Sequence, residues 1–175
     1  ATVKANGSLS VLVLAWMNKD LPVLDVAAFV DYYLLLGASA IVAIDHTKCT
    51  PNPVRDALLA SYPGRVVHER TWRCSPSFTM ELQLAAYATV ITRIAWRLEP
   101  EALIMPLDTD EYAVLPSYQM TFGHLRDLMR NLRVCTLFLS WRQFGSSGHV
   151  CQPSTSMLNS YTRRAPTLSE LPAET

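Results

Sequence analysis

No apolar run in this chain reaches the roughly 18 to 20 residues needed to cross a bilayer. The opening residues, ATVKANGSLS, also lack the apolar stretch of a signal peptide. An excess of charge of one sign is missing as well, since 15 basic residues stand against 15 acidic ones. That balance removes the broad basic surface through which nucleic acid is held by its phosphates. The four cysteines, Cys49, Cys74, Cys135 and Cys151, form no C-x-x-C pair and have no histidine at zinc-finger spacing, which argues against a structural zinc. They read as buried or free thiols, and a disulfide between Cys135 and Cys151 would need an oxidising compartment. No internal repeat or low-complexity tract is present.

What is present suits one globular unit: 175 residues, half of them apolar, are enough to bury one sizeable core. The chain opens on Ala1 and trails into LSELPAET, so it reads as an excised domain over 1–164 with a polar tail at 165–175. No contact with a membrane is expected from this segment itself, while an anchor outside it is compatible with the sequence. Localisation is therefore poorly bounded.

Along the chain, strands and helices alternate. The run LSVLVLAWM at 9–17 is Val- and Leu-rich and bounded by polar residues, which suits a strand buried on both faces. At 23–36, Leu24, Ala27, Ala28, Val30, Tyr33 and Leu34 recur at helical intervals between Pro22 and the stop residue Gly37. A second strand is expected at 40–44, ending at Asp45. A short helix follows at 53–61 with Asn52 as N-cap, then a strand at 66–69 and a long helix at 77–98. The run ALIMPL at 102–107 reads as a further buried strand. A helix capped by Thr121 is expected at 121–132, and strand character resumes at 135–141. This order predicts an α/β fold, a mostly parallel sheet covered by helices on both faces and joined by right-handed crossovers.

In such sheets ligands bind beyond the carboxyl ends of the strands, where the strand order reverses. Two acidic positions fall at strand ends. Asp45 follows the second strand, and residues 108–111 (Asp108, Thr109, Asp110, Glu111) follow the ALIMPL run. In extended chain, Asp108 and Asp110 would face the same side. Mg²⁺ and Mn²⁺ take oxygen ligands, commonly one or two carboxylates together with substrate phosphates. Against this, Asp-x-Asp is a common tripeptide and a solvated turn would also explain it. Three crowded carboxylates, however, repel one another unless a cation compensates. Asp45 reads equally as a cap of the next turn or as an acceptor for ribose or base.

The stretch WRQFGSSGH compresses Trp141, Phe144, Gly145, Ser146, Ser147, Gly148 and His149 into one loop. Its aromatics can stack on a sugar, its glycines permit close approach and its serines can bond hydroxyls or phosphate. His149 could serve as a base or metal ligand, and the alternative to this functional reading is a structural turn with core aromatics and an exposed His149. His46, His68 and His124 have no comparable context, and Arg126, Arg130 and Arg133 read as a solvated helix face.

Taken together, LDTDEYAV and WRQFGSSGH resemble the Asp-x-Asp-Glu-aromatic motif and the Trp-x-x-Phe-Gly-Ser-Ser-Gly-His signature of family 92 glycosyltransferases and their family 2-like relatives, which have the GT-A fold. The resemblance runs from about 9 to 164 and includes Asn18-Lys19-Asp20, the helix end YYLLLG and Asp45. It implies metal-dependent transfer of a sugar from a nucleotide-diphosphate sugar, commonly a UDP-sugar, to a glycan or other hydroxyl acceptor with inversion. Asp108 would lie near ribose or sugar, Asp110 on Mn²⁺ or Mg²⁺, and Asp45 against the nucleoside. The family's Lys-Asn-Glu is here Asn18-Lys19-Asp20, and its Asp-x-x-Ser is Asp45-His46-Thr47-Lys48. The catalytic base is left between His149, Glu111 and residues beyond Thr175. Two other readings stand beside this one: a binding domain of the same fold without turnover, and an Asp-x-Asp phosphohydrolase.

Overall fold

The computed structural model describes residues 9–17, 22–45, 53–70 (backbone alone at 68–70), 80–140, 144 and 147. By contacts the chain divides into two compact units, Ala1–Leu137 and Phe138–Thr175. The expected start of a polar tail at 165 lies outside the described residues.

The first unit is α/β. Four strands, β1 (Leu9–Met17), β2 (Ala40–Asp45), β3 (Val66–Arg70) and β4 (Leu98–Asp108), form one sheet in the order β3-β2-β1-β4. Every pairing in it is parallel. The helices described in this unit are α1 (Val23–Leu35), α2 (Pro53–Ser61), α3 (Met80–Ile94) and α4 (Phe122–Leu132). Side chains alternate along β1, and this decides which helix packs where. Val11, Val13, Ala15 and Met17 share a core with residues of α1, α2 and α4, including Phe29, Tyr33, Leu58 and Phe122. Leu12, Leu14 and Trp16 face the other way, onto Ala86, Tyr87, Val90 and Ile94 of α3. Leu12 and Leu14 are fully buried, and each such side chain contributes about 1.5–3 kcal/mol by leaving water.

The split of helices follows from chain direction. From β1 through β3 the sheet grows one way, with α1 and α2 on one face. The step from β3 to β4 returns past β1, and a right-handed crossover then requires its helix, α3, on the opposite face. The arrangement is compatible with a Rossmann-like fold, and the strand order reverses between β1 and β4.

Local signals explain most of the boundaries. Helix α1 ends in a Schellman motif: the Gly37 N–H donates to the Leu34 carbonyl at 3.1 Å and the Ala38 N–H to the Tyr33 carbonyl at 2.9 Å. Gly37 takes φ 95°, which a side chain would resist. Thr121 caps helix α4 as expected, and His124 gains a role there, because its Nδ1 accepts from the Thr121 N–H at 3.1 Å.

Three expectations are corrected. The helix expected to reach residue 98 ends at Ile94, where a 3-10 turn, Ala95–Arg97, hands the chain directly to β4. The Glu99-Pro100 pair thus opens a strand rather than breaking a helix. Here Leu9 pairs with Leu98 but Val11 with Leu103, and Glu101 in the intervening bulge takes φ 64°. Second, among the described residues β4 is an edge strand and half-buried, with Met105 its one buried residue and Pro106 exposed, as an edge position tolerates. Third, residues 135–140 form no strand and are exposed, since an apolar, β-prone run makes a strand only where a partner edge receives it.

Candidate functional site

The carboxyl edge of the sheet brings the expected acidic positions into line. Met17, the last residue of β1, pairs with Asp45 of β2, while Trp16 pairs with both Ile44 and Asp108. Asp108 therefore ends β4 beside the point where strand order reverses, and Asp45 stands two strands away, about 10 Å at the usual strand spacing.

Beyond Asp108 the chain turns at once. The Glu111 N–H donates to the Asp108 carbonyl at 3.0 Å, and the Asp108 N–H donates to Glu111 Oε2 at 3.1 Å. The expectation that Asp108 and Asp110 project together from extended chain is corrected by this turn. Asp108 is half-buried at its mouth, Thr109 is buried and Asp110 stands exposed at its tip.

Helices from both faces grip this segment. From α3, Gln83 Nε2 donates to Asp108 Oδ1 at 2.6 Å and to Tyr87 Oη at 3.0 Å. Tyr87 Oη in turn lies 3.4 Å from the Leu107 carbonyl, to which it donates, and its ring meets Trp16 edge to face. From α1, Tyr33 Oη donates to the Glu111 carbonyl at 3.0 Å and accepts from the Ala113 N–H at 2.8 Å, while Tyr32 Oη donates to the Ala113 carbonyl at 2.8 Å. Sequence reasoning missed Gln83 and Tyr87 altogether, because their partners lie more than one element away. The YYLLLG stretch reads in the sequence as a helix end and a family landmark, with nothing in it to tie Tyr32 and Tyr33 to the turn.

The turn gathers acidic groups closely. Burial raises the Glu111 carboxyl above its ordinary value, and the neighbouring Asp108 and Asp110 charges raise it further, against a lowering by the Asp108 N–H bond. Burial first, and then Asp25 and Asp110, push the Tyr112 phenol up to about 12. Among the described residues, two buried hydroxyls, Thr109 Oγ1 and Tyr112 Oη, have no hydrogen-bond partner. Asp25, missed in the sequence, is 4% exposed in the first turn of α1. Crowded carboxylates, with their hard oxygen donors, are the environment a divalent cation suits. Asp108 and Asp110 fit such an ion only in part: among the described residues no three His, Cys, Asp or Glu side chains come together as a ready-made cage. Ligand oxygens would have to complete the coordination, as phosphates commonly do for Mg²⁺.

Asp45 is 5% exposed, and Arg55 Nη1 of α2 approaches its Oδ2 at 3.9 Å. Arg55 is held more tightly by Asp56, with Nε and Nη2 each 2.7 Å from Oδ1. On the α4 surface, expected as a solvated face, Arg126 pairs with Glu99 at 3.2 Å and Arg130 with Asp127 at 3.3 Å.

Of the 141–149 loop, Trp141, Gly145, Ser146, Gly148 and His149 lie outside the described residues. Phe144, in the second unit, is 53% exposed, and Ser147 takes φ 54°. Cys135 is exposed with a free thiol. No helix among the described residues is long and apolar enough to cross a membrane. The fold and the edge site together define an α/β protein with an acidic turn at its strand-order reversal. No family model, curated protein or solved structure matches the chain.

Proposed function

We propose that this chain is the donor-binding domain of a metal-dependent glycosyltransferase with a GT-A-like fold. One observation carries the reading: a braced turn at the reversal point, with Asp108 at its mouth and Asp110 exposed at its tip. Sites of that kind receive nucleotide ligands at their strand ends. The likeness of LDTDEYAV and WRQFGSSGH to the family signatures supports the same class.

In this reading Asp108 and Asp110 hold Mn²⁺ or Mg²⁺ against the donor diphosphate, and Asp45 accepts hydrogen bonds from the nucleoside. When bound, the metal stabilises the leaving diphosphate. The chain's own work is to hold the carboxylates in place before the ligand arrives, so that less ordering is needed on binding. Glu111 has the raised proton affinity that suits a group taking a proton from an acceptor hydroxyl, yet its Oε2 also closes the turn. His149 is the other candidate for that step.

That double duty of Glu111 favours a second reading, a domain that binds a sugar nucleotide without turning it over. A panel of sugar nucleotides, assayed with Mn²⁺ for transfer and for donor hydrolysis, separates the two. Turnover that falls at least tenfold in Glu111→Gln or His149→Ala supports the transferase and names its base. Tight donor binding with neither transfer nor hydrolysis supports the binding domain.

A further inference from the structure

We infer that Tyr33, with its neighbour Tyr32, is a positioning residue for the acidic turn, acting through the backbone of Glu111 and Ala113 and touching no ligand. This deepens the proposed function and rests on it for the metal-binding part of its test. Tyr33 is fully buried, and its hydroxyl uses both of its capacities on the segment leaving the turn, donating to the Glu111 carbonyl and accepting from the Ala113 N–H. Its ring is stacked on Phe122 at 5.8 Å and packed against Phe29 at 4.6 Å, so the hydroxyl is a fixed point that cannot follow a moving loop.

Helical side chains lean toward their own N-terminus, and this is how residues near the end of α1 reach back toward the carboxyl edge of the sheet. Burial holds the Tyr33 phenol well above its ordinary range, so it stays a neutral donor at neutral pH. Tyr32 adds a third bond, to the Ala113 carbonyl. Gln83 fixes the start of the turn from the opposite face through Asp108. The turn is thus held before Asp110 through the Asp108 side chain and after it through the Glu111 and Ala113 backbone, so the exposed Asp110 carboxylate is presented from a braced frame. Supporting bonds of this kind commonly govern how well a carboxylate serves a metal.

The test compares Tyr33→Phe, which keeps the stacked ring and removes the hydroxyl, with Val30→Ala, a core truncation on the same helix that leaves the turn alone. Tyr33→Phe is expected to weaken Mn²⁺ binding, followed by electron paramagnetic resonance, roughly tenfold or more. It should also speed hydrogen exchange of the Glu111 N–H, which is bonded to Asp108 rather than to Tyr33. Val30→Ala should lower the melting temperature and leave both readouts as in the parent protein. Faster exchange confined to the Ala113 N–H, or a Val30→Ala variant that reproduces both effects, overturns the inference. If the parent protein binds no Mn²⁺, the proposed function fails, and Glu111 exchange in Tyr33→Phe still decides the positioning role. Should that variant not fold, Tyr32→Phe is expected to speed Glu111 exchange too, and unchanged exchange there overturns the inference.

Discussion

Asp108 and Glu111 close a turn on each other, one bond running from the Glu111 N–H to the Asp108 carbonyl and the other from the Asp108 N–H to Glu111 Oε2. The second bond brings a third carboxylate beside Asp108 and Asp110 at the reversal point of the sheet. The turn is well bonded and electrostatically strained, and both properties can be measured.

The strain makes stability depend on pH through Glu111. Burial, and then the Asp108 and Asp110 charges, raise its folded-state pKa above the ordinary 4.5, so the folded chain holds this proton more tightly than the unfolded one. Its contribution is most favourable below 4.5 and is lost as pH rises from there through the raised value. Glu111→Gln keeps an acceptor for the Asp108 N–H and removes the charge. Urea unfolding should find the variant more stable than the parent at neutral pH, with the difference shrinking in acid. A difference that does not change with pH contradicts this account.

Gln83 reaches Asp108 from α3, and Gln83→Leu should leave that carboxylate without one of its hydrogen bonds. A loss of about 1 kcal/mol in urea unfolding is expected, for a half-exposed bond to a charged group. Mn²⁺ binding should weaken along with it. A variant as stable as the parent would show that the 2.6 Å contact contributes nothing in solution.

At Gly37 a Cβ would meet Thr121 Cβ at an ordinary 3.6 Å, so space is not the obstacle. The backbone is, at φ 95°. Gly37→Ala should therefore cost about 1–2 kcal/mol by thermal or urea unfolding, without a change in ligand binding. A neutral result would mean that α1 ends differently in solution.

How much of this was legible in the sequence follows from the range over which each feature is specified. The β1 and β2 boundaries, the Gly37 stop and the Thr121 cap are written in a few adjacent residues, and they were read correctly. The alternation of elements was enough for a parallel α/β sheet with Asp45 and Asp108 at strand ends. The end of α3 was misjudged because Ala95, Trp96 and Arg97 are compatible with helix, and only the pairing of Leu98 with Leu9 ends it. The sequence leaves 108–111 open between extended chain and a turn, and the Glu111 N–H and Oε2 bonds to Asp108 decide for the turn. The grip of Gln83, Tyr32 and Tyr33 on the site joins residues 25 to 81 positions apart, and no local pattern encodes such pairings.

Calorimetric titration of the chain with UDP, with and without Mn²⁺, for the parent protein and Asp110→Ala, tests the assignment of the acidic turn most directly. UDP should bind in the presence of Mn²⁺, lose at least roughly tenfold in affinity without it, and lose as much in Asp110→Ala, since that change removes a carboxylate ligand. If neither UDP nor another nucleoside diphosphate binds, or if Asp110→Ala titrates like the parent, the turn at 108–111 is a structural turn and the donor-site reading is wrong.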